Sequence, residues 1–310
     1  MKDLRRTIRL VEDTYKKHFH KLGDRKLHFA SRLYSWCGDP FAKKQLEKIR
    51  SDFLPKKKEL LQIKLEELAQ VNDHKNNTNG YDLRKPYLER IPGLKRNSKL
   101  LYYALVADKL FDTNIIKEVT PLLSDAEKEL DYVYTNPKSL SILSTYAINP
   151  IYLYNLYFLG NQEELPIHYI LRTGKTQYNP NNNTHIELLI YLFTHCIIGE
   201  TLFFTRKITK RRQYYKEMLA YLENVITQHY ENIHLDNKFE FLVCTKIMDY
   251  STTLFERITE EATKSVTSDG YIIDQVNKHP QKNKTSFAKS EHRNVLFLMA
   301  NRPFIKNQKK

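Results

Sequence analysis

Residues 186–205 read IELLIYLFTHCIIGETLFFT, an apolar stretch of helical length with polar residues inside it. His195, Cys196 and Glu200 stand among its aliphatic and aromatic residues. A helix that is apolar on nearly every face belongs in a protein core, and polar groups in a core need hydrogen-bond partners. The segment therefore predicts a buried helix and marks a candidate site.

This stretch is unsuited to a membrane, because polar residues such as His195 and Glu200 interrupt it within the roughly 20 apolar residues that a span requires. The first 19 residues carry a charge every two or three positions and lack the apolar region of a secretory signal. Only three cysteines occur and no CxxC pair, so no disulfide scaffold is expected. These features predict a soluble, cytoplasmic protein without a membrane partner.

The composition favours an all-α fold. The chain has 310 residues, 41% of them hydrophobic, which is enough for a sizeable core. Gly (8) and Pro (11) are scarce, which argues against a β protein with many tight turns. Helix breaks are expected near Gly23, at Gly38-Asp39-Pro40 and around Pro55.

The polar sequence NDHKNNTNG at 72–80 is the best candidate for a linker. It suggests an N-terminal helical extension over residues 1–75, a larger helical domain over 81–304 and a basic tail at 305–310.

Helical periodicity divides the larger helices into two kinds. Residues 184–206 and 289–300 are apolar nearly all round, whereas 211–231 is amphipathic. The first kind is expected to lie inside and the second outside, as in a double layer of helical hairpins that closes into an α/α toroid or extends as a solenoid. A further helix is predicted to begin at Asn237, with Asn237 as its N-cap and Glu240 three residues later.

Three segments resemble an uncharacterised bacterial group related to the α/α toroids of terpenoid cyclases and prenyltransferases. They are YLFTHCIIGETLFF at 191–204, HLDNKFEFLVCTKI at 234–247, and SDGYIID followed by SEHRNVLFLM at 268–274 and 290–299. The resemblance covers residues 184–304 and implies a toroid with polar residues on its inner helices. The DxDD acid motif of the cyclases is absent, and their repeated Gln-Trp signature cannot occur with one tryptophan, Trp36. Terpene cyclisation is therefore not implied.

The polar residues of the apolar segments form the candidate site. Glu240 and Cys244 lie four residues apart and share a helix face. Together with His195 and His292 they would supply the N, O and S ligands that zinc accepts. The alternative without a functional site is a core histidine, a small buried thiol and a helix cap.

Metal-free chemistry is a second hypothesis. His195 or His292 would titrate, and Glu240, Asp236 or Glu291 would orient the imidazole. A cysteine nucleophile is a third hypothesis, although Cys196 directly follows His195 and adjacent helix positions diverge by about 100°. The Asp269-Gly270 pair is a turn signal, because the spacing of a calcium loop is not met.

A formal net charge of +14 favours anionic partners. The segment TRKITKRRQYYK at 205–216 mixes basic and aromatic residues, the types that contact phosphate and stack on bases. The basic residues that would contact a polyanion are Arg206, Lys207, Lys210, Arg211 and Arg212, with the C-terminal segment from Lys278.

Two functions follow as expectations. The first is a helical protein that encloses a small organic or peptide ligand, with His195, Glu240, Cys244 and His292 directed at it. The second is a non-enzymatic basic scaffold that binds nucleic acid or an acidic protein.

Overall fold

A computed structural model describes residues 2–70, 81–159, 166–274 and 286–304. These residues form sixteen α-helices, numbered in chain order. They are α1 (Lys2–Lys17), α2 (Lys26–Cys37), α3 (Pro40–Phe53), α4 (Lys58–Ala69), α5 (Tyr81–Leu88), α6 (Leu94–Phe111), α7 (Ile116–Val119), α8 (Ala126–Thr135), α9 (Pro137–Leu143), α10 (Thr145–Tyr154), α11 (Ile167–Gln177), α12 (Asn183–Glu200), α13 (Arg212–Gln228), α14 (Leu235–Met248), α15 (Phe255–Lys264) and α16 (Glu291–Ala300).

The predicted all-α class is confirmed. The described residues contain no strand, only an isolated antiparallel bridge between Val266 and Ile272. Closure into a toroid or extension as a solenoid stays a prediction. None of the helices in the described ranges is both long and apolar enough to cross a lipid bilayer.

The predicted breaks in the N-terminal region are confirmed, and those at Gly23 and at Gly38-Asp39-Pro40 have a clear local cause. Gly23 adopts a φ of 58° inside a 3₁₀ segment, and Gly38 ends α2 with a φ of 64°, a left-handed conformation that glycine adopts at low cost. Asp39 then caps α3, because its Oδ1 accepts the Ala42 amide at 2.9 Å and Pro40 starts the helix.

The chain divides into two compact units, and the division falls within α3. Unit 1 consists of Met1–Ile49 and Phe204–Lys310, and unit 2 is the continuous segment Arg50–Phe203. These positions differ from the predicted division into residues 1–75, 81–304 and 305–310. The predicted linker at 72–80 and the tail at 305–310 lie outside the described residues.

In unit 1, α16 packs against α1, α2 and α14, and α14 also contacts α13 and α15. Helix α16 buries nine of its ten residues and α14 buries twelve of fourteen, whereas α13 buries only one face. The predicted difference between all-round apolar and amphipathic helices is therefore confirmed for α16 and α13. The first turn of α16 carries three charged or titratable side chains into this packed region.

In unit 2, α10 packs against α6 and α12, and α11 packs against α9 and α12. The expected burial of α12 is confirmed, since thirteen of its eighteen residues are buried. Two glycines allow close contact. A Cβ at Gly199 would stand 2.4 Å from the Tyr152 ring, and one at Gly174 would stand 2.2 Å from Phe193. Asn182 caps α12 by accepting the His185 amide at 3.2 Å.

Two predicted helix boundaries are wrong. The predicted helix 184–206 ends at Glu200, because Leu202, Phe203 and Phe204 all adopt positive φ. Such a left-handed turn cannot continue a right-handed helix. Helix α14 begins at Leu235, so Asn237 is a buried residue of its first turn and no N-cap.

Candidate functional site

Unit 1 contains a network of charged and titratable side chains around the first turn of α16. Glu291, His292 and Arg293 follow one another in the chain, and successive helical residues point about 100° apart. Glu291 therefore faces α2, while His292 and Arg293 reach residues of α14. Each of these three consecutive residues therefore contacts a different partner.

The contact with α2 is a chain of three groups. His28 and Arg32 lie four residues apart on α2, and the Arg32 Nε donates to His28 Nε2 at 2.6 Å. A guanidinium is always protonated, so Nε2 must offer its lone pair and the imidazole proton must sit on Nδ1. That Nδ1–H donates to Glu291, 2.9 Å from Oε1 and 2.8 Å from Oε2. His28 is therefore a neutral imidazole that binds a carboxylate.

The electrostatics agree with a neutral His28. Burial, followed by the positive charges of Arg32, His292 and Arg25, lowers its pKa well below 6.5. Burial raises the pKa of Glu291 to about 7, against the nearby charges of His292, Arg32 and Arg25. The pair is thus a hydrogen bond from a neutral histidine to a carboxylate that titrates near neutrality.

His292 forms a second imidazole–carboxylate pair beside the first. Its Nε2 lies 3.3 Å from Oε1 of Glu240 on α14, and its ring centroid is 5.3 Å from that of His28. The side chains of His28 and His292 are 23% and 28% exposed, whereas those of Glu291 and Glu240 are 0% and 3% exposed. Two partly accessible imidazoles therefore lie side by side, each backed by a buried carboxylate.

Arg293 closes the inner side of the network. Its guanidinium bonds Asp236 at 2.7 Å and lies 3.9 Å from Asp274, which also pairs with His234. The Asp269-Gly270 turn is confirmed, with a φ of 84° at Gly270 and a bond from its amide to Thr267. Asn294 ties the loop to α16 through both backbone groups of Ile272.

The predicted set of four residues does not come together within one unit. Glu240, Cys244 and His292 belong to unit 1, and Cys244 is completely buried on α14. His195 belongs to unit 2, where its Nδ1 lies 2.8 Å from Asn149 Oδ1. Within the described ranges, no three His, Cys, Asp or Glu side chains are arranged to hold a metal ion.

The hypothesis of a cysteine nucleophile gains no support from the surroundings of Cys196. Its thiol is completely buried. Burial, with a smaller contribution from Glu200, raises its pKa well above 9. A buried thiol with a raised pKa is a weak nucleophile, because the thiolate is the reactive form.

The five predicted polyanion-binding residues lie in unit 1 and differ in their surroundings. Lys207 and Lys210 are exposed, whereas Arg206, Arg211 and Arg212 are partly buried. The Arg212 guanidinium donates to the backbone carbonyls of Ile208 and Met248, and so caps the C-terminal end of α14.

His28 and Arg32 did not emerge from the sequence as site residues. They lie in KLHFASRLYSWC, a short helix whose apolar residues gave no sign of a buried partner. The only available signal was the i, i+4 spacing of a histidine and an arginine, which also occurs on ordinary exposed helix faces. Their role depends on a contact with Glu291, 263 residues further along the chain.

A comparison of the chain with models of protein families, with curated proteins and with solved structures finds no match. The resemblance to the α/α toroids of terpenoid cyclases and prenyltransferases stays a prediction.

Proposed function

We propose that unit 1 carries an acid/base site for a small organic or peptide ligand, with His292 as the group that exchanges the proton. Within the described residues, Nδ1 of His292 forms no hydrogen bond, while Nε2 faces Glu240. This is the observation that carries the proposal. The proposed site corresponds to the metal-free hypothesis that the sequence suggested. His195 and Cys244 have no role in it. We propose a cytoplasmic location on the strength of the sequence alone.

Glu240 has the role of an orienting carboxylate. An ionised carboxylate beside Nε2 accepts that N–H and leaves the lone pair on Nδ1, where it can take a proton from a ligand. The same carboxylate then stabilises the imidazolium that forms. Glu240 is 3% exposed, so water competes little with this interaction.

The groups beside His292 suit a ligand that gains negative charge. Arg32 donates to His28 and also stacks on Phe204, with 5.3 Å from its guanidinium to the ring centroid. This guanidinium and that of Arg25 place positive charge near His28, whose ring centroid lies 5.3 Å from that of His292. Preorganised cations of this kind stabilise an oxyanion that develops when a proton is removed.

The proposal is tested with a defined panel of small carboxylic acids, esters and short peptides. Binding is followed by thermal shift and turnover by product analysis. The full-length chain is compared with His292→Gln, Glu240→Gln and the matched control His229→Gln. We expect proton-transfer turnover to fall by roughly 100-fold or more in His292→Gln, as is usual when a general base is removed, while the control keeps it. Equal turnover in His292→Gln and the control would exclude His292 from the chemistry.

The second candidate function is a basic scaffold for nucleic acid or an acidic protein. It is supported by the exposed Lys207 and Lys210 and by Tyr214, which is 36% exposed beside them. A double variant, Lys207→Gln with Lys210→Gln, is compared with the full-length chain on a polyanion column over a salt gradient. Earlier elution of the variant supports this function, and no retention at low salt excludes it.

A further inference from the structure

A hollow of about 540 Å³ opens in unit 2 between the start of α6, the start of α8 and the turn that precedes α6. A volume of several hundred Å³ is typical of small-molecule sites. The buried floor contains Ile91, Gly93 and Glu129, and the wall and rim carry Arg90, Arg96 and Lys128. The hollow is therefore a cavity of ligand size with both charged and apolar groups in its lining.

The cations of this hollow differ in how far they are already paired. Lys128 lies 3.4 Å from Asp125, an exposed pair of little strength. Arg96 is partly buried, yet in the described part of the chain it forms no hydrogen bond and no ion pair, and its Nε is a buried donor without a partner. An unsatisfied guanidinium beside a cavity is a donor group for an anion, most favourably one that accepts two parallel N–H bonds.

The floor of the hollow is held in place by Glu129. Its Oε1 accepts the Gly93 amide at 2.6 Å, and its Oε2 accepts Nδ2 of Asn97 at 2.9 Å. Gly93 has no room for a side chain, because a Cβ there would stand 2.8 Å from Glu129 Oε1 and 3.2 Å from Arg96 Nη2. Glu129 Oε1 and Arg96 Nη2 thus both lie close to Gly93, where only a glycine leaves room for them.

The lining combines three kinds of group that a single ligand class would use. The guanidiniums of Arg90 and Arg96 match a phosphate. The carboxylates of Asp125 and Glu129 can accept hydrogen bonds from hydroxyl groups. They also repel a ligand that carries negative charge along its whole length. The ring of Tyr132 offers an apolar face to a sugar ring. A nucleic acid backbone fits this mixture of charges poorly.

We propose that this hollow binds a small phosphorylated sugar or polyol, with the phosphate on Arg90 and Arg96 and the hydroxyl groups towards Asp125 and Glu129. The site is independent of the acid/base group in unit 1, since it lies wholly in unit 2. It adds a second ligand to the chain, an anion of the kind that the net charge of +14 favours.

The experiment measures the binding of glucose 6-phosphate, inorganic phosphate and glucose to the full-length chain by calorimetry at fixed ionic strength. We expect the affinity for glucose 6-phosphate to exceed the affinity for inorganic phosphate or for glucose by about tenfold or more. Arg96→Gln and Arg90→Gln should each weaken its binding about tenfold or more, as expected for a lost charge-assisted bond. Arg172→Gln, an exposed arginine of the same unit outside the hollow, is the matched control and should bind normally.

Two further variants keep the result interpretable. Arg90 is exposed, so its substitution tests the charge without disturbing the fold. Gly93→Ala keeps every charge but displaces Glu129 and Arg96, and it should also weaken binding. Phosphate that binds as tightly as glucose 6-phosphate would overturn the sugar half of the proposal. The whole proposal would be overturned if glucose 6-phosphate did not bind, or if Arg172→Gln weakened its binding as much as Arg96→Gln does.

Discussion

Arg32 sets the chemistry of its neighbour His28, because a guanidinium that donates to Nε2 excludes a proton from that nitrogen. The neutral ring then donates to Glu291, which is completely buried. A buried carboxylate that accepts this bond still carries the cost of burial, which raises its pKa to about 7. The electrostatic properties of the site thus depend on individual donors and acceptors.

Glu291 makes the stability of the protein depend on pH. Its pKa is raised from 4.5 to about 7 in the folded state, so the folded chain binds this proton more tightly than the unfolded chain does. The resulting stabilisation is complete below about pH 4.5 and is lost as the pH rises to about 7, a change of roughly 3 kcal/mol. The low pKa of His28 has the opposite effect, because it makes the stability of the folded chain increase as the pH rises.

Glu291→Gln removes the titration of Glu291 and keeps an acceptor for the Nδ1–H of His28. We therefore expect the free energy of unfolding of the variant, relative to the unaltered chain, to increase between pH 4.5 and 7. Urea denaturation at both pH values measures it. Glu260→Gln, an exposed residue of α15, serves as control. A difference that stays constant with pH would contradict the raised pKa.

Arg293 provides a second prediction about a single residue. Its guanidinium is 6% exposed and serves Asp236 and Asp274 together. Removal of one member of a buried ion pair leaves an uncompensated charge, so Arg293→Ala should lower the free energy of unfolding by about 3–5 kcal/mol. Chemical denaturation measures the loss. The exposed Arg257→Ala is the control, and a similar small loss in both variants would show that the network contributes little.

Asp39 joins the start of α3 to α1 and to the segment that follows α16. It caps the Ala42 amide and pairs with Lys16 at 3.0 Å and Arg302 at 3.1 Å. Burial raises its pKa, but the Ala42 amide and the Lys16 and Arg302 cations outweigh burial, and the pKa is lowered overall. One side chain thus combines helix capping with ion pairing.

Asp39→Ala and Asp39→Asn separate the two roles of Asp39. We expect the alanine variant to lose about 2 kcal/mol or more of stability, because the cap and the ion pairs both disappear. Asparagine keeps the cap, so it should lose less, and its deficit should begin to shrink as the pH falls below 3.8, where the unfolded wild-type chain takes up this proton. Denaturation at pH 7 and pH 3 tests both statements. Equal losses would show that the cap contributes nothing.

The close contact between α11 and α12 allows a second prediction for elements. Gly174 lies in the helix α11, and a Cβ there would overlap the Phe193 ring of α12. Alanine normally favours a helix over glycine by about 1 kcal/mol. We expect Gly174→Ala to destabilise the chain nevertheless, by about 1–3 kcal/mol, because the overlap forces the ring to move. Thermal denaturation decides the sign, and a stabilised variant would show that Phe193 moves at no cost.

The chain forms one unit from its two terminal segments and another from its middle. Unit 2 is continuous in sequence, whereas unit 1 needs contacts between residues more than 250 positions apart, such as His28 with Glu291. Long-range contacts require the closure of long loops and form at an entropic cost. Unit 1 is the part whose folding depends on both ends of the chain.

A fragment of residues 50–203 should therefore fold alone. We expect a helical circular dichroism spectrum and cooperative unfolding in urea. A fragment of residues 204–310 lacks α1 and α2, which contact α16, and it should show no cooperative transition. Cooperative unfolding of the second fragment, or its absence in the first, would contradict this division of stability.

The helical class, the breaks at Gly23, Gly38 and Pro40, and the burial of α12 and α16 could all be predicted from the sequence. These follow from local backbone preferences and from the 3.6-residue period of apolar side chains. The sequence also indicated Glu240, His292 and Glu291 as polar residues in apolar surroundings. Their partners could be identified only from the way the helices pack. The structure joined Glu291 to His28 and His292 to Glu240, and it placed His195 in the other unit, beside Asn149. Periodicity shows only which face of a helix is buried. Which residues meet across that face depends on how distant segments pack together.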